Sequence, residues 1–203
     1  MSFYINESLE QGSQEWLTWR RGVVGASEAP TIMGENPWAS QKSLMDQKLG
    51  MVKEFSGNSA TREGQRLEEP ARKDLERRQG IRLRPVIVQD NELPFLAASL
   101  DALDKTNSLI YEIKCGVKSY EKTTSSQQVP TYYFAQLQHM LMVTRLDYMY
   151  FAAYRPDRPL VILEVDRDDK YIKKLRSTEE KFVTELIKRG HEWQRTFVGF
   201  EAR

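Results

Sequence analysis

Residues 131–143, TYYFAQLQHMLMV, constrain this chain more than any other stretch. They read as a helix that is apolar on nearly every side, and a helix without a polar face has to be deeply buried. Three extended runs precede it: 82–89 (RLRPVIVQ), 95–101 (FLAASLD) and 108–114 (SLIYEIK), separated by the turn-prone DNELP and DKTN. Two more follow, 147–154 (DYMYFAAY) and 160–166 (LVILEVD), joined by RPDRP. Further helices are predicted at about 13–20, at about 40–49, over the charged stretch 58–79 that ends at Gly80, and from near Asp168 to about 189. GASEAPTIMG reads as a short helix with Ser27 as N-cap and Gly34 as terminator, NPW as a turn, and KTTSSQQVP (122–130) as a loop. The core order is helix, three strands, helix, two strands, helix. It predicts an α/β fold, a mixed central sheet flanked by helices.

A chain of 203 residues suits one domain spanning 1–203, with room for a substantial core. No apolar run approaches the roughly 20 residues that span a bilayer. The start, MSFYINESLEQGS, has no apolar signal-peptide segment, so a cytoplasmic protein is expected. The single cysteine, Cys115, excludes an internal disulfide framework and any Cys-rich zinc or iron–sulfur site. A net charge of +1 means that DNA binding would need a local basic patch.

The chemistry concentrates in YEIKCG, 111–116. Alternate residues of a strand share a face, so Glu112 and Lys114 lie on one side, with Leu109, Tyr111 and Ile113 on the other. An isolated E-x-K is most simply a surface ion pair. Asp101, which closes the preceding extended run, changes that reading if the two strands are neighbours. Two carboxylates brought together repel and raise each other's pKa, and a divalent cation is the usual remedy. Mg²⁺ favours carboxylates, waters and phosphate oxygens. A lysine beside them adds positive charge where a phosphodiester transition state gains negative charge. Cys115 follows Lys114 and so points to the opposite, packed face.

ASLDALD with LIYEIKC resembles the D…(D/E)-x-K signature of the PD-(D/E)xK nucleases. EWLTWRRGVVGASEA, EGQRLEEPAR, AASLDAL, LIYEIKC, YYFAQLQHMLMVT and YMYFAAYRPD, in that order, resemble the phage lambda exonuclease (YqaJ-type viral recombinase) family. No single motif is specific, but six in order at family-like spacings are. The resemblance implies a restriction-endonuclease-like core and a Mg²⁺-dependent 5′-to-3′ exonuclease acting on duplex DNA ends. Such an enzyme releases 5′-mononucleotides and leaves 3′ single strands for annealing-type recombination. It further implies two Mg²⁺ ions, replaceable by Mn²⁺, a homotrimer, a single-strand annealing partner, and a phage or prophage protein in the bacterial cytoplasm.

By the same resemblance, Asp101, Glu112 and the Ile113 carbonyl hold metal. Lys114 positions and activates the attacking water. Glu68, chosen over Glu69 by its spacing from Gly64, contacts a second metal directly or through water, and Gln136 belongs to the catalytic site. Arg20 and Ser27 bind the terminal 5′-phosphate, with Ser99 as a further phosphate contact. The family's usual proline before the aspartate is Leu100 here. Trp16 lies near DNA in this reading, although two tryptophans three apart on a helix also suit core anchors. Gln138 points about 200° away from Gln136 around the helix, so it and His139 read as satisfied core or rim residues. Lys118 and Lys122, in the segment after the active-site strand, suit sequence-independent phosphate contacts. The cations between Arg62 and Arg84 suit a solvated helix face as readily as a DNA track. The rivals are a PD-(D/E)xK endonuclease, which has no use for a terminal-phosphate pocket, and a DNA-binding module with a decayed site.

Overall fold

The structure is a computed structural model, and it describes residues 3–52 and 59–190. Its strands are β1 (Phe3–Ile5), β2 (Val24–Gly25), β3 (Leu83–Asp90), β4 (Leu96–Asp104), β5 (Ile110–Lys114), β6 (Tyr148–Ala153) and β7 (Val161–Asp166). Its α-helices are α1 (Gln14–Arg21), α2 (Ala29–Ile32), α3 (Gln41–Lys48), α4 (Ser59–Gln79), α5 (Val117–Ser126), α6 (Phe134–Thr144) and α7 (Asp169–Arg189). The strands form one mixed sheet in the order β1-β3-β4-β5-β6-β7, with β2 paired to β4. β5–β6 and β2–β4 are parallel and the other pairs antiparallel. The mixed sheet flanked by helices is the predicted architecture.

Both faces of the sheet are covered. On one, α6 buries every residue from Ala135 to Thr144, and α7 adds Leu175, Phe182, Val183 and Leu186. On the other, α4 lays down Leu67, Ala71 and Leu75, four residues apart and hence one stripe, against Ala102, Tyr111, Ile113 and Cys115. So β5 is not the half-solvated strand that its charges suggested. Ile110 and Glu112 face α6 and are as buried as Tyr111 and Ile113 facing α4.

Several elements depart from the sequence reading. β4 runs past Asp101 to Asp104, so the aspartate sits within the strand rather than closing it. The stretch after β5 is a helix through Ser126, ended by Gln127 in the left-handed region, so KTTSSQQVP is mostly helical. Its threonines and serines are poor helix formers in isolation, but buried Ser119, Tyr120 and Thr123 pin it to the sheet. Ser27 is not an N-cap. It lies inside a 3-10 turn, Ala26–Glu28, whose cap is Gly25, with the Gly25 N–H donating to the Glu28 carboxylate. The helix that follows, α2, is only four residues long. The β1 and β2 pieces were too short to stand out as strands, and the first residue of the predicted 58–79 helix lies outside the described residues.

Candidate active site

The cleft arises because β4 shares one of its edges. Ala97 pairs with Gln89 of β3 and with Gly25 of β2, so β2 and β3 occupy opposite edges. On the edge with β2, β5 pairs only at Ala102 and Leu103. Among the described residues, 98–101 therefore have no strand neighbour on that side. Asp101 covers the gap: its Oδ2 accepts the Ile113 N–H at 2.8 Å, taking the place of a ladder bond. An N–H and C=O of one strand residue point to the same edge, so the Ile113 carbonyl also faces the opening. From α4, the Arg72 guanidinium donates to the Asp101 carbonyl at 2.8 Å and fixes the strand there.

The opening forms a cleft of about 200 Å³ lined from both faces of the sheet. Glu68 and Gln65 reach it from α4, Gln136 and Met140 from α6, and Asp101, Glu112 and Lys114 from between. Glu112 Oε1 accepts from Lys114 Nζ and, at 2.6 Å, from Gln136 Nε2. Among the described residues, Glu112 Oε2 is buried and has no hydrogen-bond partner. Its side chain is 3% exposed and that of Lys114 23%, so the pair is open to the cleft only at the ammonium.

The charges do not balance. Burial, then Glu112 and Glu68, push the Asp101 carboxyl well above its ordinary value, against the opposing pull of Lys114. Burial and Glu112 raise Glu68, with Lys114 and Arg72 opposing. Burial alone would lower the Lys114 ammonium, but Glu112 and Asp101 outweigh it and hold it protonated. A protonated lysine is a donor and a fixed positive charge, not a base. Three acids against Lys114 and Arg72 leave acids in excess, and an unpartnered carboxylate oxygen of a cleft-lining residue is where a cation fits. Among the described residues no three His, Cys, Asp or Glu side chains form a ready-made metal cluster. Two carboxylates and a carbonyl suit Mg²⁺, which keeps several waters, and do not suit a tetrahedral zinc site.

The other end of the same cleft is cationic. Arg20 Nη2 donates to Ser27 Oγ at 2.8 Å, and the guanidinium lies 5.0 Å from the centre of the Trp16 ring. Trp16 is buried in the cleft wall, with an indole N–H that has no partner among the described residues, and Ser99 also lines the wall. Two residues that sequence reasoning missed hold this end. Lys48, buried, bonds Glu28 Oε2 at 2.9 Å and the carbonyls of Val23 and Arg20 at 2.6 and 3.2 Å. Glu28 Oε1 lies 3.8 Å from Arg20 Nε, so the buried pair sets the guanidinium over Ser27. The available signal was an acid set between alanines in the apolar GASEAP.

A family model described as a YqaJ-like viral recombinase domain matches residues 15–147. That range contains both ends of the cleft. The chain belongs to the YqaJ-like viral recombinase family. It is 30% identical over 191 residues to the uncharacterized protein YqaJ of Bacillus subtilis strain 168, covering 92% of this chain and 60% of that protein's length. An alkaline exonuclease from Laribacter hongkongensis (LHK-Exo) has the same fold, with a TM-score of 0.76 at 24% identity, covering 90% of this chain and 97% of that one. A second structure of that enzyme is a complex with dAMP, with a TM-score of 0.75 at 23% identity over the same shares. A phage-related exonuclease from Haemophilus somnus 129PT matches with a TM-score of 0.58 at 18% identity, covering 82% of this chain and 96% of that one.

In this family member the remaining predicted residues divide clearly. Lys118 and Lys122 are exposed on α5, not on a loop, and Lys122 Nζ lies 5.1 Å from the centre of the Tyr132 ring. Gln138 is satisfied by the Asp166 carbonyl and the Asp168 N–H, and His139 by Glu179 and the Ala97 carbonyl; neither side chain lines the cleft. Burial pushes the Cys115 thiol up to about 12, as befits a packed residue. On α4 the cations mostly pair one turn away, Arg66 with Glu63, Lys73 with Glu69, and Arg77 and Arg78 with Asp74, as a solvated helix face does. Arg72 alone turns inward.

Proposed function

We propose that this chain is a Mg²⁺-dependent exonuclease that shortens one strand of duplex DNA from its 5′ end, releasing mononucleotides. One observation carries the reading: the carboxylate–lysine cluster and the Arg20–Ser27 pair line a single cleft of about 200 Å³. Arg20 and Ser27 bind the terminal 5′-phosphate, a hydrogen-bonding fork beside a hydroxyl, and Ser99 and Trp16 complete that wall. Asp101, Glu112 and the Ile113 carbonyl would hold the metal, with Glu68 touching a second ion or its water. Bound there, Mg²⁺ or Mn²⁺ would lower the pKa of a water and offset charge on the phosphoryl oxygens. Gln136 fixes the Glu112 carboxylate through Oε1 and leaves Oε2 for a cation. Lys114 holds its proton and donates to the attacking water or a non-bridging oxygen, adding positive charge where the transition state gains negative charge.

The dAMP complex of LHK-Exo supports a deoxynucleotide as the group that such a cleft takes. A single domain over 1–203, a homotrimer around the duplex, a single-strand annealing partner and a phage or prophage protein in the host cytoplasm complete the proposal on family grounds. Among the described residues no helix is long and apolar enough to cross a membrane.

The test uses linear duplexes with 5′-phosphate or 5′-hydroxyl ends and covalently closed circles, each with Mg²⁺ or with chelator. Phosphorylated linear ends should be degraded in Mg²⁺ alone. Cutting of the closed circle would replace the exonuclease reading with an endonuclease. Equal rates on the two kinds of end would remove the phosphate-pocket role of Arg20 and Ser27. No cutting in any arm would leave a binding module.

A further inference from the structure

Outside the cleft, a file of aromatic rings leads from the core to solvent. Phe151, fully buried on β6, lies 5.6 Å from Tyr133, Tyr133 lies 4.5 Å from Tyr132, and Tyr132 lies 5.0 Å from Trp38, all between ring centres. Trp38 is 75% exposed, the most open of the large apolar residues described. It is nevertheless held in place. The Trp38 N–H donates to Asn36 Oδ1 at 2.9 Å, Asn36 Nδ2 donates to Thr31 Oγ1 at 2.8 Å, and the Asn36 N–H is tied to the Pro30 carbonyl. The turn that carries the exposed indole is thus pinned three ways, and the ring itself meets the Tyr132 ring edge-on.

Two ammonium groups accompany the rings. Lys122 Nζ lies 5.1 Å from the Tyr132 ring centre, and Lys114 Nζ lies 4.9 Å from that of Tyr133. Lys114 is also the lysine of the catalytic cleft, so the file begins where the scissile phosphate would lie. Aromatic faces interleaved with cations fit one class of ligand especially well. Unpaired nucleobases stack on the rings, and the phosphates between them meet the lysines. A peptide or a second copy of the chain would not need the file to end on a phosphate-handling lysine.

We propose that Trp38 and Tyr132, with Lys122, form a stacking platform for unpaired nucleobases of the DNA strand entering the cleft. The platform holds those bases apart from the complementary strand while the adjacent phosphodiester is cut. The proposal rests on the exonuclease reading only for the identity of the strand; the stacking surface stands on the rings and lysines alone. Base–aromatic stacking tolerates any sequence, as a nuclease that advances along DNA requires.

The experiment uses the full chain in chelator, so that binding is read without cleavage. Wild type, Trp38→Ala, Trp38→Phe, Tyr132→Ala and Tyr148→Ala are titrated with labelled oligothymidylate. They are then titrated with a duplex bearing a short 5′-unpaired end that contains 2-aminopurine. Tyr148 is the control, an exposed aromatic at the opposite end of β6 from Ala153, the residue paired with Lys114. Trp38→Ala and Tyr132→Ala should each weaken oligothymidylate binding by roughly tenfold and relieve the 2-aminopurine quenching seen with wild type. Trp38→Phe should stay within about threefold of wild type because a ring remains, and Tyr148→Ala should match wild type.

Unchanged affinity in Trp38→Ala overturns the platform. So does a change in its sedimentation with oligothymidylate affinity intact, which would make the surface a contact between copies. The two readings fail separately. A wild type that binds single strands through Trp38 but never shortens a linear duplex in Mg²⁺ sinks the exonuclease. One that shortens the duplex while Trp38→Ala binds like wild type sinks the platform.

Discussion

Helix α6 borders two buried groups of ionisable residues, and they have opposite characters. On the cleft side, Gln136 meets Glu112, with Lys114, Asp101 and Glu68 close by. About one turn along, on the core side, His139 meets Glu179, both fully buried. In the second group the protons close, although among the described residues Glu179 Oε2, like Glu112 Oε2, is buried with no hydrogen-bond partner. His139 Nε2 faces a carbonyl, which can only accept, so Nε2 carries a hydrogen; Nδ1 and Glu179 then share one further proton. Burial alone would lower the imidazole, but Glu179 and the Ala97 carbonyl raise it, while burial raises Glu179. Both shifts describe the same retained proton. In the first group the count does not close, since three acids share Lys114 and Arg72 beside open space. Buried charge alone therefore does not mark chemistry. Unbalanced charge at the wall of a cavity does.

The largest effects should come from the unbalanced group. Asp101→Asn still accepts the Ile113 N–H but removes one carboxylate, so it should lower cleavage by roughly a thousandfold or more, the metal's contribution being several kcal/mol at about 1.4 kcal/mol per decade. The same variant relieves repulsion in metal-free protein. Its melting temperature in chelator should match or exceed that of wild type, and only wild type should gain stability on adding Mg²⁺. A fall in metal-free stability would mean that Asp101 is chiefly structural. Lys114→Ala should abolish cleavage while binding of duplex ends survives. A variant that keeps about a tenth or more of wild-type activity would remove the lysine's electrostatic role.

The balanced group should answer in stability, not activity. Glu179→Leu strands His139 and should cost about 3 kcal/mol in denaturant unfolding while leaving the Mg²⁺ dependence of cleavage as it is. The sign of the pH dependence follows from the retained proton. The unfolded chain releases it above the ordinary histidine value near 6.5, whereas the folded pair keeps it. The pair's stabilisation is thus complete below about 6.5 and is lost as pH rises through the folded value. The melting-temperature gap between wild type and Glu179→Gln should narrow from about pH 6 to about pH 9. A gap that widens would reverse the assignment.

How legible each group was in the sequence follows from how local it is. Asp101, Glu112 and Lys114 lie within fourteen residues on one hairpin, so strand alternation alone brings them together. The apolar run at 131–143 gave away α6, and Gly80 the end of α4. The cleft was not legible, because it depends on β2 taking the edge of β4 that β5 leaves, and a two-residue strand has no sequence period. Nor was the burial of Glu112. Strand alternation separates two faces but does not say that α6 covers the charged one. The Lys48–Glu28 pair joins residues twenty apart on a helix and a 3-10 turn, and only the fold makes them neighbours. α5 was misread because its composition favours a loop, while its buried face, Ser119, Tyr120 and Thr123, is set by the sheet beneath.

The cationic end of the cleft should give the smaller effects, and these test whether Lys48–Glu28 belongs with the working group or the structural one. Arg20→Ala removes charge-assisted hydrogen bonds to a terminal phosphate, so the preference for 5′-phosphate over 5′-hydroxyl ends should fall by about tenfold. Glu28→Gln keeps an acceptor for the Gly25 N–H but removes the charge facing Arg20 and Lys48. If Glu28 positions Arg20, KM for phosphorylated ends should rise by about threefold, with kcat and the constants for hydroxyl ends unchanged. A purely structural pair would instead lower the melting temperature and reduce the rates on both kinds of end alike. The distance favours positioning: at 3.8 Å from Arg20 Nε, Glu28 steers the guanidinium without neutralising it through a close bidentate bond, leaving its donors for a phosphate.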